Sequence, residues 1–556
     1  MKRLPIGVDT YETMATECYY VDKTSFINEI DSYPTTSVIL FTRPRRFGKS
    51  TALSMVRCFY ETGKGDPSKY FEGTKVMATG GETWSRRGTF PVVSLTFKTL
   101  TPSSFQEMLR AISHTMRLEY SRHQELLEYP FDEADASYLK KALTESLDPF
   151  ELGQSLSTLI RLLSKCHSKK VIVLIDEYDN LLQEASFDSS FYNEALRFFQ
   201  SFYGTALKGN ENLRICLLTG VFEIAKDSLT SSLNNPIVFT CLDAECSSYF
   251  GFTKEEALFL MKELKQEEKL NEALAWYGGY RFGNTDIINP WSLIQYLSKQ
   301  CKARPYWTNT SRNASLSRII FSTEDSKAVL AGLLSKDDGV ISPIDRTSTY
   351  IDGTQDKSSL LTTLVFLGYL TADEEVDIDT YHIKIPNKEI ASIIQKEVVA
   401  RFFSETGDDV VYRFRKALSS GNEKEIEEIL KQSFLSNINY PGFGNEGLYQ
   451  GIVLSLVAIA YRDAIVDAEL PAGAGRCDIM ISPKNNQNVG ICIELKHLKT
   501  KTSFVRLNQS SLSALNQIKS MDYGERLRKQ GVKTILYYGF SIAKKSIAVS
   551  SDVEKN

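Results

Sequence analysis

The sequence predicts an α/β protein built on mostly parallel sheets, and three observations carry that reading. Five short apolar runs, rich in β-branched and aromatic residues, alternate with helical patterns across the first half of the chain. The first of them leads straight into Arg46-Phe47-Gly48-Lys49-Ser50 and then into an apolar-periodic helix. Two further alternating runs, around Asp478 and Glu494, mark a second unit of similar character near the C-terminus.

Taken in order, the predicted strands are 36–43 (TSVILFTR), 90–98 (FPVVSLTFK), 170–176 (KVIVLID), 213–221 (LRICLLTGV) and 236–242 (PIVFTCL), with helices such as 105–120 and 191–207 between them. Near-continuous apolar strands of this kind belong to a sheet covered on both faces. From 253 to about 297 the period is helical, ending near Asn289-Pro290-Trp291. Residues 357–403 read as helix, short strand (YLTA), acidic turn (DEEVDID), second strand (YHIKI) and a long helix from Asn387, a winged-helix-like order. Charged helices follow, and Asn439-Tyr-Pro-Gly-Phe-Gly-Asn445 reads as a linker. Beyond it come an apolar helix (451–460), a Gly-rich turn (471–475) and the strands 477–482 and 490–496. The expected domains are 1–245, a helical extension 246–345, a winged-helix-like and helical region 346–440, and a C-terminal domain 441–556.

With 556 residues, 42% apolar, the chain has material for several cores. Its net charge of −4 excludes a uniformly basic nucleic-acid coat protein. The charge is unevenly spread: from 441 onward 15 Lys and Arg face 10 Asp and Glu, a local +5 that leaves −9 on the rest. No apolar run approaches the roughly 20 residues of a membrane span, and no Sec-type leader opens the chain. Nine scattered cysteines without a Cys-x-x-Cys pair, and five histidines outside metal-ligand spacing, point to a reduced, cytoplasmic protein with no structural zinc and no membrane partner.

The first chemical centre is the strand–loop–helix at 36–51. Phosphate binding needs backbone N–H groups at a helix N-terminus, a lysine reaching the β/γ-phosphates and a hydroxyl on Mg²⁺. Lys49 and Ser50 supply the last two, within a candidate nucleotide-binding stretch of Arg43, Pro44, Arg45, Arg46, Gly48, Lys49, Ser50 and Thr51. Arg43 stands where G-x-x-x-x-G-K-[ST] has its first glycine, so rigid Pro44 is expected to help make the turn and Arg45 or Arg46 to add phosphate contacts. Asp176 and Glu177 end a buried strand, where an open α/β sheet places its ligands. Asp176 is expected to hold the Mg²⁺ shell and Glu177 to polarise the attacking water, with Thr219 sensing the γ-phosphate. These residues predict ATP or GTP binding.

The second centre is Asp478 followed by Glu494-Leu-Lys496. On a strand, Glu494 and Lys496 share one face, and Asp478 sits on the preceding strand. Two carboxylates can hold Mg²⁺ or Mn²⁺, and an ammonium beside them can position water or steady a charged transition state. That set suits phosphodiester hydrolysis, although Glu-x-Lys also occurs at 263–265 and 267–269 on a charged helical stretch and equally decorates solvated faces. Glu446 and Glu469 are further candidate ligands, and Gln517, Lys519 and Arg526 candidates for the substrate path. The basic residues Lys499, Lys501, Arg506, Lys519, Arg526, Arg528, Lys529 and Lys533 favour a phosphate backbone as partner, with few aromatics for base stacking.

The motifs 4–27 (LPIGVDTYE…YYVDKTSFI), 42–50 (TRPRRFGKS), 174–180 (LIDEYDN), 218–235 (LTGV…SLTSSLNN), 276–298 (WYGGYRFG…INPWSLIQYLS) and 306–311 (YWTNTS), with the later GRxD and ExK elements, resemble a bacterial and archaeal family. That family pairs an AAA-ATPase-like P-loop domain with a PD-(D/E)XK nuclease-like, restriction-endonuclease-like domain. The resemblance implies ATP as the nucleotide, and the arginine at position 43 is how that family's phosphate loop looks. Many ATPases of this broad type form homo-oligomers, an expectation carried forward here. Two functions follow: a metal-dependent nuclease acting on DNA or RNA under ATP control, or an ATP-gated switch binding nucleic acid or protein with a catalytically inactive nuclease-like domain. A nucleotide-hydrolysing regulator with no nucleic-acid role is a third.

Overall fold

The five apolar runs of the first half form one parallel sheet: β1 (Ser37–Thr42), β2 (Val92–Thr96), β3 (Val171–Asp176), β4 (Leu213–Gly220) and β5 (Ile237–Phe239), in the order β2–β3–β4–β1–β5. The computed structural model describes residues 2–187, 191–224, 236–308, 339–346, 356–394, 407–436, 446–461, 464–472, 475–483, 489–498, 503–543 and 546–555, with the single positions 329 and 333. Two compact units emerge, one of residues 1–307 and 342–381, the other of residues 308–341 and 382–556. Among the described residues no helix is long and apolar enough to cross a membrane.

In the first unit β3 and β4 are buried along their whole length, which is why they read as unbroken apolar runs. Helices Phe105–Arg122, Ser155–His167 and Tyr192–Leu207 pack their apolar stripes on the sheet. Helix Ser155–His167 alone buries Leu156, Leu159, Ile160, Leu162 and Leu163, each worth roughly 1.5–3 kcal/mol relative to exposure. The stretch from 253 is helical as expected over Lys254–Glu263, Leu270–Tyr277 and Pro290–Ser298. Between the last two sits a hairpin that the helical period concealed, β6 (Tyr280–Phe282) and β7 (Thr285–Ile287), turning at Gly283-Asn284.

Further along, β8 (Val340–Pro343), which precedes helix Lys357–Leu367, joins β9 (Thr371–Asp377) and β10 (Thr380–Lys384), which follow it, in one sheet of order β8–β10–β9. The acidic segment expected as a turn is strand: β9 runs through Asp373, Glu374 and Glu375, and only Ile378-Asp379 turn. As an edge strand it keeps Glu374 and Glu375 in water and Asp373 half-buried, so charge does not break it.

The second unit carries a mixed sheet, β11 (Ala464–Ala472), β12 (Gly475–Pro483), β13 (Val489–His497), β14 (Thr534–Ala543) and β15 (Ser546–Lys555), in sequence order and antiparallel except for β13–β14. Helix Phe504–Ser520 makes the crossover between the two parallel strands. Its backbone lies directly on β14 at Gly539, where a Cβ would stand 2.1 Å from the Ser511 carbonyl oxygen. The expected linker 439–445 lies outside the described residues.

Helices Gly407–Ser420 and Glu423–Ser436 belong to this sheet. Glu427 Oε1 accepts from the Val549 N–H at 2.8 Å and Glu423 Oε1 from the Ser551 N–H at 2.6 Å, so two carboxylates one helical turn apart occupy alternate donors of edge strand β15. The Tyr538 hydroxyl adds a bond to the Leu418 carbonyl. An unpaired edge invites intermolecular pairing. A fragment beginning at residue 441 is therefore expected to aggregate or to melt at least about 5 °C below one beginning at residue 407, measured by size-exclusion chromatography and thermal denaturation.

Candidate functional site

The first centre forms where β1, β3 and β4 end together. The parallel register sets Phe41 beside Thr219 and Asp176 beside Thr219, so the strand ends converge on one crevice. Past β1 the chain turns through 43–48 and enters helix Lys49–Tyr60. Gly48 precedes the helix at φ +89°, and a Cβ there would meet nothing within 4 Å. Its need for glycine is conformational, and the space above it is open. Arg46 also takes a positive φ, +69°.

Lys49 is buried, and its Nζ donates to the carbonyls of Arg43 at 2.7 Å and Pro44 at 2.9 Å. Burial pulls its ammonium down to about 8, opposed by Glu177 and Asp176. Ser50, in the first helical turn, donates to Asp176 Oδ2 at 2.5 Å, and Thr219 donates to Asp176 Oδ1 at 2.7 Å. The lysine, the hydroxyl, the acid and the polar residue named from the sequence thus meet at one point. Glu177 adjoins them at φ +52°, its carboxyl raised by burial against the pull of Lys49 and Arg45. Thr51 is half-buried in the same helical turn.

The arginines separate by role. Arg43 does not face the crevice. Its Nη1 donates to the Thr42 and Phe239 carbonyls at 2.9 and 2.8 Å, and its guanidinium lies over the rings of Phe250 and Phe282. Its side chain is a buried brace between β1 and β5, while its carbonyl faces Lys49, so its place in the stretch is kept by its backbone. Pro44 presses against Gly368, where a Cβ would come within 2.7 Å of the proline ring. Arg46 stacks 4.6 Å over Trp291 and reaches the carbonyls of Tyr306 and Trp307. Arg45 donates to Gln183 Oε1 at 3.3 Å. Sequence reasoning missed Asp179 and Gln183. The repeated acid in Asp-Glu-Tyr-Asp was the available signal, since a second aspartate so close to a buried strand end needs protein partners in place of water.

The second centre lies on β12 and β13. Asp478 Oδ2 accepts from the Leu495 N–H at 2.7 Å, tying its carboxylate to the strand that bears Glu494 and Lys496. Glu494 is buried, and its Oε1 accepts from Gln517 Nε2 at 2.5 Å, while its Oε2 is buried with no hydrogen bond of ordinary geometry. Burial, with Asp478 close by, pushes Glu494 up to about 7, and Lys496 acts against the rise. Lys496 Nζ donates to Ser513 Oγ at 3.0 Å. Among the described residues no three His, Cys, Asp or Glu side chains cluster to hold a metal. One or two carboxylates with water and phosphate oxygens is the ordinary Mg²⁺ arrangement, and that Glu494 oxygen beside Asp478 fits it.

Gln517 belongs to the site through Glu494. Lys519 instead pairs with Asp552, Arg528 with Asp522 and Glu554, and Lys529 with Glu525, so part of the local positive charge is already balanced. Such surface pairs are worth about 0–1 kcal/mol and exchange readily for phosphate. Arg526 is exposed, and the side chains of Glu446 and Glu469, with Lys499, Lys501 and the 228–235 motif, lie outside the described residues.

Glu494 gives a pH signature. A carboxyl raised in the fold favours the protonated native state, so its contribution is full below about 4.3, the unfolded value, and is lost as pH rises through about 7. The melting temperature is expected to fall more steeply between pH 5 and 8 in the wild type than in Glu494→Gln. Mg²⁺ should recover part of the loss at pH 8 only in the wild type.

Residues 5–230 match the family described as Predicted AAA-ATPase, and residues 444–551 match the PD-(D/E)XK nuclease superfamily. The chain thus carries an AAA-ATPase-like domain followed by a PD-(D/E)XK nuclease-like domain. It is also similar to a protein of Azotobacter chroococcum mcd 1, described as an uncharacterized protein in the vnfD 5' region. The two are 24% identical over 552 residues, covering 95% of this chain and 94% of the relative.

Proposed function

We propose that the protein binds and hydrolyses ATP at the first centre and cleaves phosphodiester bonds of nucleic acid at the second, with the nucleotide controlling cleavage. The observation that carries the nuclease reading is the buried Oε2 of Glu494, which has no hydrogen bond of ordinary geometry and only weak support from the Asp478 backbone, beside Asp478 and on the same strand face as Lys496. A carboxylate kept in that state is costly unless something electropositive meets it.

At the first centre Lys49 exchanges the Arg43 and Pro44 carbonyls for the β/γ-phosphates, and loop N–H groups complete the cradle. Ser50 and Asp176 hold Mg²⁺. Glu177 orients and deprotonates the attacking water, and the Thr219 hydroxyl fixes the Asp176 carboxylate. At the second centre Asp478 and Glu494 hold Mg²⁺ or Mn²⁺, which when bound supplies Lewis-acid stabilisation of the phosphoryl oxygens. Gln517 keeps Glu494 aimed, and Lys496 orients water and meets the negative charge that develops on the phosphate.

The deciding experiment is cleavage of DNA and RNA with Mg²⁺ or Mn²⁺, with and without ATP, by wild type, Lys49→Ala and Lys496→Ala. Metal-dependent cleavage that ATP changes in the wild type and not in Lys49→Ala supports the reading. Nucleic-acid binding with no cleavage under any condition replaces it with the ATP-gated binding switch.

A further inference from the structure

We propose that Asp179 and Gln183 are positioning residues of the nucleotide site, holding Arg45 of the phosphate loop ready for the terminal phosphate and tying it to the segment that leaves β4. This rests on the nucleotide reading of the first centre.

The chain of contacts is continuous. Asp179 Oδ2 accepts from the Val221 N–H at 2.9 Å, the Phe222 N–H at 3.0 Å and Gln183 Nε2 at 2.6 Å. Gln183 then uses its other amide atom, Oε1, to accept from Arg45 Nη2 at 3.3 Å. Asp179 and Gln183 stand one turn apart, and both are nearly excluded from solvent, at 1% and 6%. The relay therefore links the phosphate loop to the two residues immediately beyond Thr219-Gly220.

The local backbone is shaped to admit it. A Cβ at Gly220 would stand 2.7 Å from Asp179 Oδ1 and 2.7 Å from Tyr178 Cε1, so only glycine lets these side chains lie across the end of β4. Tyr178 closes the same segment, donating to the Phe222 carbonyl at 2.8 Å and accepting from the Ile224 N–H at 3.0 Å. An acid this deep is a poor choice for mere stability, since packed apolar groups serve as well. An acid whose remaining lone pairs orient a glutamine, which in turn orients a cation, has a reason to be there.

Arg45 lies in the loop between β1 and helix Lys49–Tyr60, four residues before Lys49, and is held there by Gln183. A second cation at that place distinguishes a triphosphate from a diphosphate. Because Gln183 is neutral, Arg45 turning from its amide to a phosphate oxygen leaves only an uncharged acceptor behind, while Gln183 Nε2 stays on Asp179.

The test is a double-mutant cycle on the ratio of ADP to ATP dissociation constants, measured by calorimetry on the full-length protein with Mg²⁺. Arg45→Ala and Gln183→Leu are each expected to lower the preference for ATP about tenfold while leaving ADP affinity within about twofold, and the double variant to lose no more than Arg45→Ala alone. If Gln183→Leu does not fold, Gln183→Met follows the original side-chain path and carries the same expectation. Losses that multiply in the double variant, or that fall equally on ATP and ADP, reduce Gln183 to a structural part and overturn the relay. A wild type that binds neither nucleotide overturns the nucleotide reading, and the relay with it. A wild type whose preference for ATP is untouched by Arg45→Ala overturns the relay alone.

Discussion

Replacing Lys496 by alanine should lower metal-dependent cleavage of nucleic acid by about 10²–10³-fold, the usual loss when one preorganised donor to a developing oxyanion is removed. The side chain is partly exposed and gives one hydrogen bond, to Ser513. Its removal costs one surface contact but also takes away the cation that offsets buried Glu494, so the melting temperature should fall modestly, and more above pH 7 than below it. Metal affinity, set by Asp478 and Glu494, should change less than activity does. Lys496 also restrains the rise of Glu494, so the residual activity of Lys496→Ala should need a more alkaline pH than the wild type. Lys496→Arg keeps the charge but not the compact point geometry, and should recover only part of the rate. If Lys496→Ala cleaves DNA and RNA as fast as wild type, with and without ATP, the site is not catalytic in the manner proposed.

The first five strands were legible as apolar runs that coincide with the elements to within a few residues, most fully in β1, β3 and β4, which are buried on both faces, while edge strands β2 and β5 are only partly so. The hairpin β6–β7 was not, because three-residue strands are too short to establish a period of two against helical surroundings. β9 was hidden by its carboxylates, which composition assigns to a turn but an edge strand tolerates. At the first centre, Lys49 and Ser50 were named from the strand–loop–helix motif and Asp176 and Thr219 from strand ends, and the fold brings them together. The direction of the Arg43 side chain could not be read from the motif, because it depends on the aromatic rings of Phe250 and Phe282, over two hundred positions away. Gln183 was invisible for the complementary reason: on a helix surface a glutamine looks solvated, and only packing reveals that both its amide atoms are in use.

Lys49→Ala should weaken ATP binding by about 10²–10⁴-fold, from the loss of two charge-assisted contacts at about 1.5–3 kcal/mol each. In the free protein the ammonium is held by the Arg43 and Pro44 carbonyls. Alanine leaves those acceptors unmet, so a modest loss of stability should accompany the loss of affinity. A saturating Mg²⁺–ATP concentration near 100 times the wild-type Kd should stabilise the wild type by about 2.7 kcal/mol and the variant by no more than about 0.4 kcal/mol. The pH dependence separates this from a general disturbance of the loop. Burial sets Lys49 at about 8 in the free site, and adjacent phosphates must raise it, so binding above pH 8 takes up a proton and affinity falls as pH rises. Calorimetry in two buffers of different ionisation enthalpy reads that uptake directly. Lys49→Arg, always charged, should bind more weakly than wild type but without the alkaline fall. Wild-type ATP affinity in Lys49→Ala would remove the lysine from the phosphate site, and the proposed exchange of loop carbonyls for phosphate oxygens with it.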